Sequence, residues 1–311
     1  MKPKNQIAGM AHAKTGFTII ELLTIMSIIV IIISFLLPAV NMINWYAKYT
    51  TQRNQFRNID TCLQAFEIDY GEYPDSSAAD ITGEQYCGAM KFAEAMAGQD
   101  GLGFNPDSKL TAYDGAGPTK LYPPFTNTPG YYENLKKRKE CMEAKDVQLG
   151  SLANLYANPG TFATNTAGVA LLCDVYKRGE LRNSRGTKLG MPILYYKADT
   201  SKLLHDVNDP TNPDNIYNYL DNEELLKLGV RWDISAIHPL YQPNTGPGPP
   251  TPYAPTGPLG QTFYKMTRDK SALPIQRPYN KNSYILISAG GDGLYGTGGT
   301  LRTKDVVNFS D

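Results

Sequence analysis

Between Phe17 and Val40 the chain carries a single charge, Glu21, in twenty-four residues. As a helix that run spans about 36 Å, enough for the hydrocarbon core of a bilayer. Its few polar side chains, Thr18, Thr24, Ser27 and Ser34, can return their hydroxyls to helix carbonyls. The run is too long for the apolar stretch of an ordinary secretory signal, and no small-residue cleavage site follows it. Lys2, Lys4 and Lys14 precede it. The positive-inside rule therefore predicts a cytoplasmic N-terminus and a translocated C-terminal bulk. Residues 1–16 read as a leader, 17–40 as a membrane-spanning helix, 41–70 as its continuation and 71–311 as a globular domain.

Glu21 is the anomaly of this segment. A carboxylate inside a membrane helix costs about 2.5–3.5 kcal/mol on insertion scales, so it needs a partner or a function. One reading places Glu21 near the interface, where it snorkels to water. The other follows from a cut after Gly16. Phe17 would then carry a positive amine, and a neighbouring subunit's amine could neutralise the acid, a tolerable pair where either charge alone is expensive.

Lys14-Thr15-Gly16 followed by Phe17-Thr18-Ile19-Ile20-Glu21-Leu22-Leu23 resembles the class III signal of type IV pilins and type II secretion pseudopilins. The resemblance covers about the first seventy residues closely. It implies cleavage after Gly16 by a membrane-embedded prepilin peptidase and methylation of Phe17 as the new N-terminus. It also makes Glu21 the assembly glutamate and Pro38 the helix-bending proline. The implied fold is α+β and pilin-like, with a long N-terminal membrane-spanning helix packed on a C-terminal domain. That domain would hold a small antiparallel β-sheet with extra helices and loops. The implied partners are the chain itself, other pseudopilins, the peptidase/N-methyltransferase and a secretion assembly platform. The implied location is the bacterial inner membrane, single-pass, with the domain in the periplasm and the subunit later drawn into a periplasmic filament.

Beyond the membrane segment, Met42, Tyr46, Tyr49, Phe56, Ile59, Leu63, Phe66 and Tyr70 recur at helical spacing. Lys48, Arg53, Arg57, Asp60, Gln64 and Glu67 fill the other face, so this half is amphipathic and packs one side on the domain. Pro38 predicts a kink or marks the membrane exit. Gly71 and Pro74 end the helix, and Gly71-Glu72-Tyr73-Pro74 again resembles pseudopilins. A second helix is expected over 82–97, capped by Thr82 with Gln85. A third is expected from Pro129 to about Lys145. Its Lys136-Lys137-Arg138-Lys139 run reads as a solvated face or a docking patch. Strands are expected at Val169–Tyr176, Ile193–Lys197, Tyr284–Ser288 and Val306–Phe309. A short helix capped by Asp221 is expected at Asn222–Leu228. Residues 239–260 hold eight prolines and read as an extended loop that could meet a partner through Tyr241 or Tyr253.

The formal net charge is zero, so nothing points to nucleic acid. Twenty-eight glycines, twenty-two prolines and twenty-one tyrosines suit an exposed, turn-rich domain. Cys62, Cys87, Cys141 and Cys173 all lie in the translocated part. They allow two disulfides in any of three connectivities, or buried free thiols. No C-x-x-C pair suggests zinc. His12, His205 and His238 lack metal-ligand spacing, and no hydrolase or metalloprotease motif occurs, so no catalytic residue is assigned.

Near the C-terminus, Gly291, Gly293 and Gly296 match G-x-G-x-x-G. Loop and strand follow where a dinucleotide site needs a helix, so that reading is rejected. The stretch resembles the C-terminal loop of pseudopilins, which in several members binds calcium. That resemblance would make Asp292 and Asp305 ligands, with backbone carbonyls and Thr297 or Thr300. The alternative is a glycine turn fixing the last hairpin, and no other cofactor is expected. The function that results is a pseudopilin of type II protein secretion. A type IV pilus or competence pilin, or a membrane-anchored periplasmic binding protein or hydrolase, is the alternative.

Overall fold

The computed structural model describes residues 16, 18–112, 121–142, 148–162, 169–233, 238–240, 260–272, 274–297 and 304–309. Phe17, Glu143, Lys145, Tyr241, Tyr253, Thr300, the leader before Gly16 and nearly all of the 239–260 loop lie outside the described residues. The chain divides into two compact units, residues 1–46 and 47–311. One helix, α1 (Ile19–Tyr70), contributes to both.

In the first unit α1 has no buried face. Every residue from Ile19 to Val40 is exposed, as an apolar surface on all sides requires when water is not its solvent. Thr24, Ser27 and Ser34 donate their hydroxyls to the carbonyls of Ile20, Thr24 and Ile31 at 2.7–2.8 Å, as expected. The backbone is helical on both sides of Pro38.

In the second unit the rest of α1 is amphipathic and buries Gln52, Gln55, Phe56, Ile59, Cys62 and Leu63. Phe56, Ile59 and Leu63 belong to the expected stripe, and each such side chain contributes about 1.5–3 kcal/mol by leaving water. Two buried glutamines were not foreseen. The Gln52 side chain accepts from the Val175 amide at 2.9 Å, and Gln55 donates to the Cys173 carbonyl at 3.0 Å. They serve backbone groups at and just beyond the end of the strand Ala170–Cys173. The helix stops as the sequence predicts. Gly71 adopts φ +83° and its amide closes on the Glu67 carbonyl at 2.7 Å.

Two small antiparallel sheets follow. β1 (Gln148–Ser151) pairs with β2 (Ala170–Cys173), with Gln148 opposite Cys173. β3 (Leu194–Lys197), β4 (Tyr284–Ser288) and β5 (Val306–Val307) form the second sheet in the order β3-β4-β5. Leu194 lies opposite Ile287, and Ile287 opposite Val307. Backbone bonds from Ile193 to Leu172 and from Asp174 to Met191 tie the sheets together. α2 (Gly88–Ala97) packs on β2 and β3, and Phe92 stacks on Tyr195 at 5.2 Å. α1 meets the sheet edges through Arg53 to the Val307 carbonyl at 3.0 Å and Tyr284 to Asp60 at 2.8 Å. The remaining helices are α3 (Pro129–Lys137), α4 (Leu152–Leu155), α5 (Glu223–Lys227) and α6 (Gln261–Thr267). The layout is α+β: a long N-terminal apolar helix and a C-terminal domain with small antiparallel sheets.

Several expectations need correction. Helix α2 begins at Gly88, six residues later than expected, and Thr82 does not cap it. Asp80 captures Thr82 instead, accepting from its amide at 2.8 Å and its hydroxyl at 2.6 Å. Helix α3 stops at Lys137, because Lys139 and Phe104 exchange both backbone bonds at 2.8 Å and pull the chain extended. Arg138 in the basic run is buried against Asp100 at 2.7 Å, while Lys136 and Lys139 pair with Glu133 and Asp69. Asp221 does not cap α5; it is buried in a 3-10 turn, Tyr219–Asn222, and accepts from Ser76 at 2.5 Å. Strand β1 and helices α4 and α6 were not foreseen.

The four cysteines do not form two bridges. Cys62 on α1 is joined to Cys141, while Cys87 and Cys173 are free and buried in the core. The bridge spans 79 residues of sequence. A loop of that size restricts the unfolded chain by about 4 kcal/mol in the chain-entropy account. Burial pushes the Cys87 thiol up to about 11 and the Cys173 thiol higher still, so neither is a ready thiolate.

Candidate functional site

The N-terminus of α1 carries its own cap. The Thr18 amide and hydroxyl both donate to the Glu21 carboxylate, at 2.8 and 2.7 Å. The Glu21 amide in turn donates to the Thr18 hydroxyl at 3.3 Å. This is a reciprocal capping box, Thr-x-x-Glu, in which Glu21 satisfies donors that the first helical turn leaves open. The pattern stands in the sequence, but it is easily passed over beside the more unusual placement of an acid in an apolar run. Thr18 follows the Gly16-Phe17 bond by one residue, so a cut after Gly16 leaves the box whole. A Cβ on Gly16 would meet nothing within 4 Å. Among the described residues one helix, Ile19–Tyr70, is long and apolar enough to cross a membrane.

The C-terminal glycine loop brings Asp292 and Asp305 together with Thr297. Asp305 accepts from the Gly296 amide at 2.6 Å and from the Thr297 hydroxyl at 3.3 Å. Asp292 accepts from the Leu294 amide at 3.0 Å. Burial pushes both carboxyls up, Asp305 well above the usual range, where the negative charge of Asp292 adds to the effect. A third carboxylate, Asp174, is fully buried beside the loop and accepts from Ser288 at 2.8 Å. The facing cation is Arg178, which sequence reading missed. It lies over the Trp232 ring at 4.1 Å and donates to the Gly291 carbonyl at 2.6 Å. Asp292, Asp305, Thr297 and the glycines were visible in the sequence; Arg178 was not, being more than a hundred residues from Asp292 in the chain.

Calcium takes six to eight oxygens. Among the described residues no group of three or more His, Cys, Asp and Glu side chains is placed to hold a metal ion. The sequence from Gly293 to Lys304 adds no carboxylate to Asp292 and Asp305. These donors are a poor fit to calcium.

A polar cleft of about 540 Å³ lies elsewhere in the second unit, lined by Tyr73, Asp75, Ser76, Lys197 and Asp221 among others. Burial pushes Asp221 up to about 8. Asp75, partly desolvated at the cleft wall though exposed, is held below the usual carboxylate range by bonds from Lys91 and Ser77. Each of these groups has a structural partner. The buried Lys91 ammonium gathers Asp75 at 2.5 Å, the Ser77 hydroxyl at 2.7 Å and the Ser77 and Ala79 carbonyls at 3.0 and 2.9 Å. Lys91 so placed clamps the 75–79 segment. His205 and His238 are buried far apart in sequence, each on a backbone carbonyl, that of Tyr264 at 2.8 Å and that of Gly229 at 3.2 Å. Comparison with protein-family models, with curated proteins and with solved structures finds no match to this chain.

Proposed function

We propose that this chain is a pilin-like structural subunit, a pseudopilin of type II secretion, that polymerises through the first half of α1. The observation that carries the proposal is an apolar helical surface, exposed on every side from Ile19 to Val40, whose one acid sits five residues after a glycine. A helix of that kind needs lipid, other helices, or each in turn. On this account the leader is cut after Gly16 and the Phe17 amine is methylated. The subunit is stored in the inner membrane with its domain in the periplasm, then drawn into a filament whose core is packed copies of α1. Glu21, held by Thr18 in the stored subunit, meets the Phe17 amine of a neighbour. The disulfide and the two sheets suit a domain that stays rigid during extraction.

The test is the mature N-terminus of the membrane-extracted chain, read by mass spectrometry after expression with and without a prepilin peptidase. The expected result is a peptidase-dependent chain beginning at N-methylated Phe17, abolished by Gly16→Ala. An intact leader in both samples would overturn the proposal. It would favour a membrane-anchored binding protein, for which the polar cleft at Asp75 and Asp221 is the place to look.

A further inference from the structure

We infer that Arg178, and not a bound divalent cation, supplies the positive charge that holds the C-terminal glycine loop in place. The guanidinium lies over the Trp232 ring at 4.1 Å, and Gly293 abuts the edge where guanidinium and ring meet. A Cβ built on Gly293 would come within 2.8 Å of both Arg178 Nε and the Trp232 ring, and Gly293 has φ +76°. Glycine is therefore required here to admit the arginine, for space and for backbone conformation alike. Arg178 Nη2 takes the Gly291 carbonyl at 2.6 Å, an oxygen of the kind a calcium ion would use.

The charge balance points the same way. Arg178 feels Asp174, Asp292 and Glu180, and no ion pair within 4 Å ties it to one of them alone. A planar, permanently charged group shared among several carboxylates and stacked on an aromatic ring suits arginine and not lysine. The loop carboxylates are turned to backbone amides: Asp292 to Leu294, and Asp305 to Gly296. Their oxygens brace the turn, and the described residues form no converging shell for a metal. This inference stands apart from the pseudopilin proposal, since it concerns the loop whatever the chain assembles into.

The test uses the detergent-solubilised full chain, with thermal unfolding followed by tryptophan fluorescence. The midpoint is expected to be the same in excess CaCl2 and in EGTA. Arg178→Gln is expected to lower it by roughly 5 °C in both, and Arg178→Lys to recover part of that loss. Adding Asp292→Asn to Arg178→Gln is expected to cost nothing further, because the charge it removes has already lost its counter-ion. A saturable rise of the wild-type midpoint with calcium that magnesium does not reproduce would overturn the inference. So would equal losses in the Gln and Lys variants with a fully additive Asp292→Asn effect, which would mean packing alone. Should Arg178→Gln fail to fold, the wild-type calcium titration still decides.

Discussion

Residues 19–40 and residues 47–70 lie on one helix and obey different solvents. In the first stretch isoleucine, leucine and valine surround the axis and none is buried. In the second, Phe56, Ile59 and Leu63 lie on one side and are almost completely buried, while Ile68 is exposed. The backbone hydrogen bonds are the same in both. What differs is where the side chains find a non-aqueous neighbour. Residues 47–70 find it inside their own domain, and the first stretch finds none among the described residues. One helix thus holds a core element and an exposed apolar stretch, and the change from one to the other is written in its hydrophobic period.

The comparison breaks most visibly if both halves respond alike to truncation. Leu63→Ala is expected to destabilise the second unit by about 2–5 kcal/mol, the cost of a cavity in a packed core. Leu36→Ala is expected to leave that unit's unfolding midpoint unchanged. Denaturant unfolding of the two variants in detergent measures this, and comparable losses would erase the distinction.

A second contrast concerns pH, because the titrating groups of the core lie in the second unit. Burial pushes Asp174 up to about 7 and Asp221 up to about 8, so the unfolded chain loses their protons at lower pH than the folded chain does. Stability from these groups is present in acid and is lost as pH rises towards 8. Burial takes His205 and His238 down to about 4, so their contribution is present above about 6.5 and is lost as pH falls towards 4. Above the usual histidine range only the carboxylates act. The midpoint is therefore expected to fall between pH 6.5 and 8, on the order of 1 kcal/mol per pH unit for each buried carboxylate. Asp221→Asn should flatten part of that slope. A midpoint that holds steady or climbs across this interval would contradict the account.

The smallest expected effect sharpens the comparison at the N-terminus. Thr18→Val removes the capping hydroxyl, worth about 1 kcal/mol to the first turn. Amide exchange at residues 19–22 in micelles should accelerate while the second unit melts as before. Unchanged exchange there would mean that the Thr18–Glu21 box contributes nothing in a membrane-like medium.

Much of this was readable in advance where the signal was local. Tyr284–Ser288 was expected as a strand and is one, because five consecutive apolar or small residues suit a central strand buried on both faces. Gly71 was expected to stop α1 and does so with a left-handed backbone. Errors arose where a distant residue outbid a local preference. Asp80 took Thr82 away from a helix cap, and Phe104 took Lys139 away from α3. Asp221 went to Ser76, 145 residues distant, where local logic made it a cap. β1 was missed because Gln148-Leu149-Gly150-Ser151 is a weak strand by itself and exists by pairing with β2.

By itself the sequence determined the long apolar helix, the change of its period after Val40, its stop at Gly71, and the pairing of Thr18 with Glu21 that spacing alone allows. These depend on neighbours within a turn or two of helix, and the chain carries that information directly. Tertiary structure alone decided that Cys62 pairs with Cys141 while Cys87 and Cys173 stay apart. It alone decided that Lys91 clamps Asp75 and that Arg178 enters the glycine loop. Those contacts join residues far apart in the chain, and their worth comes from removing charged and polar groups from water together, which no local pattern encodes.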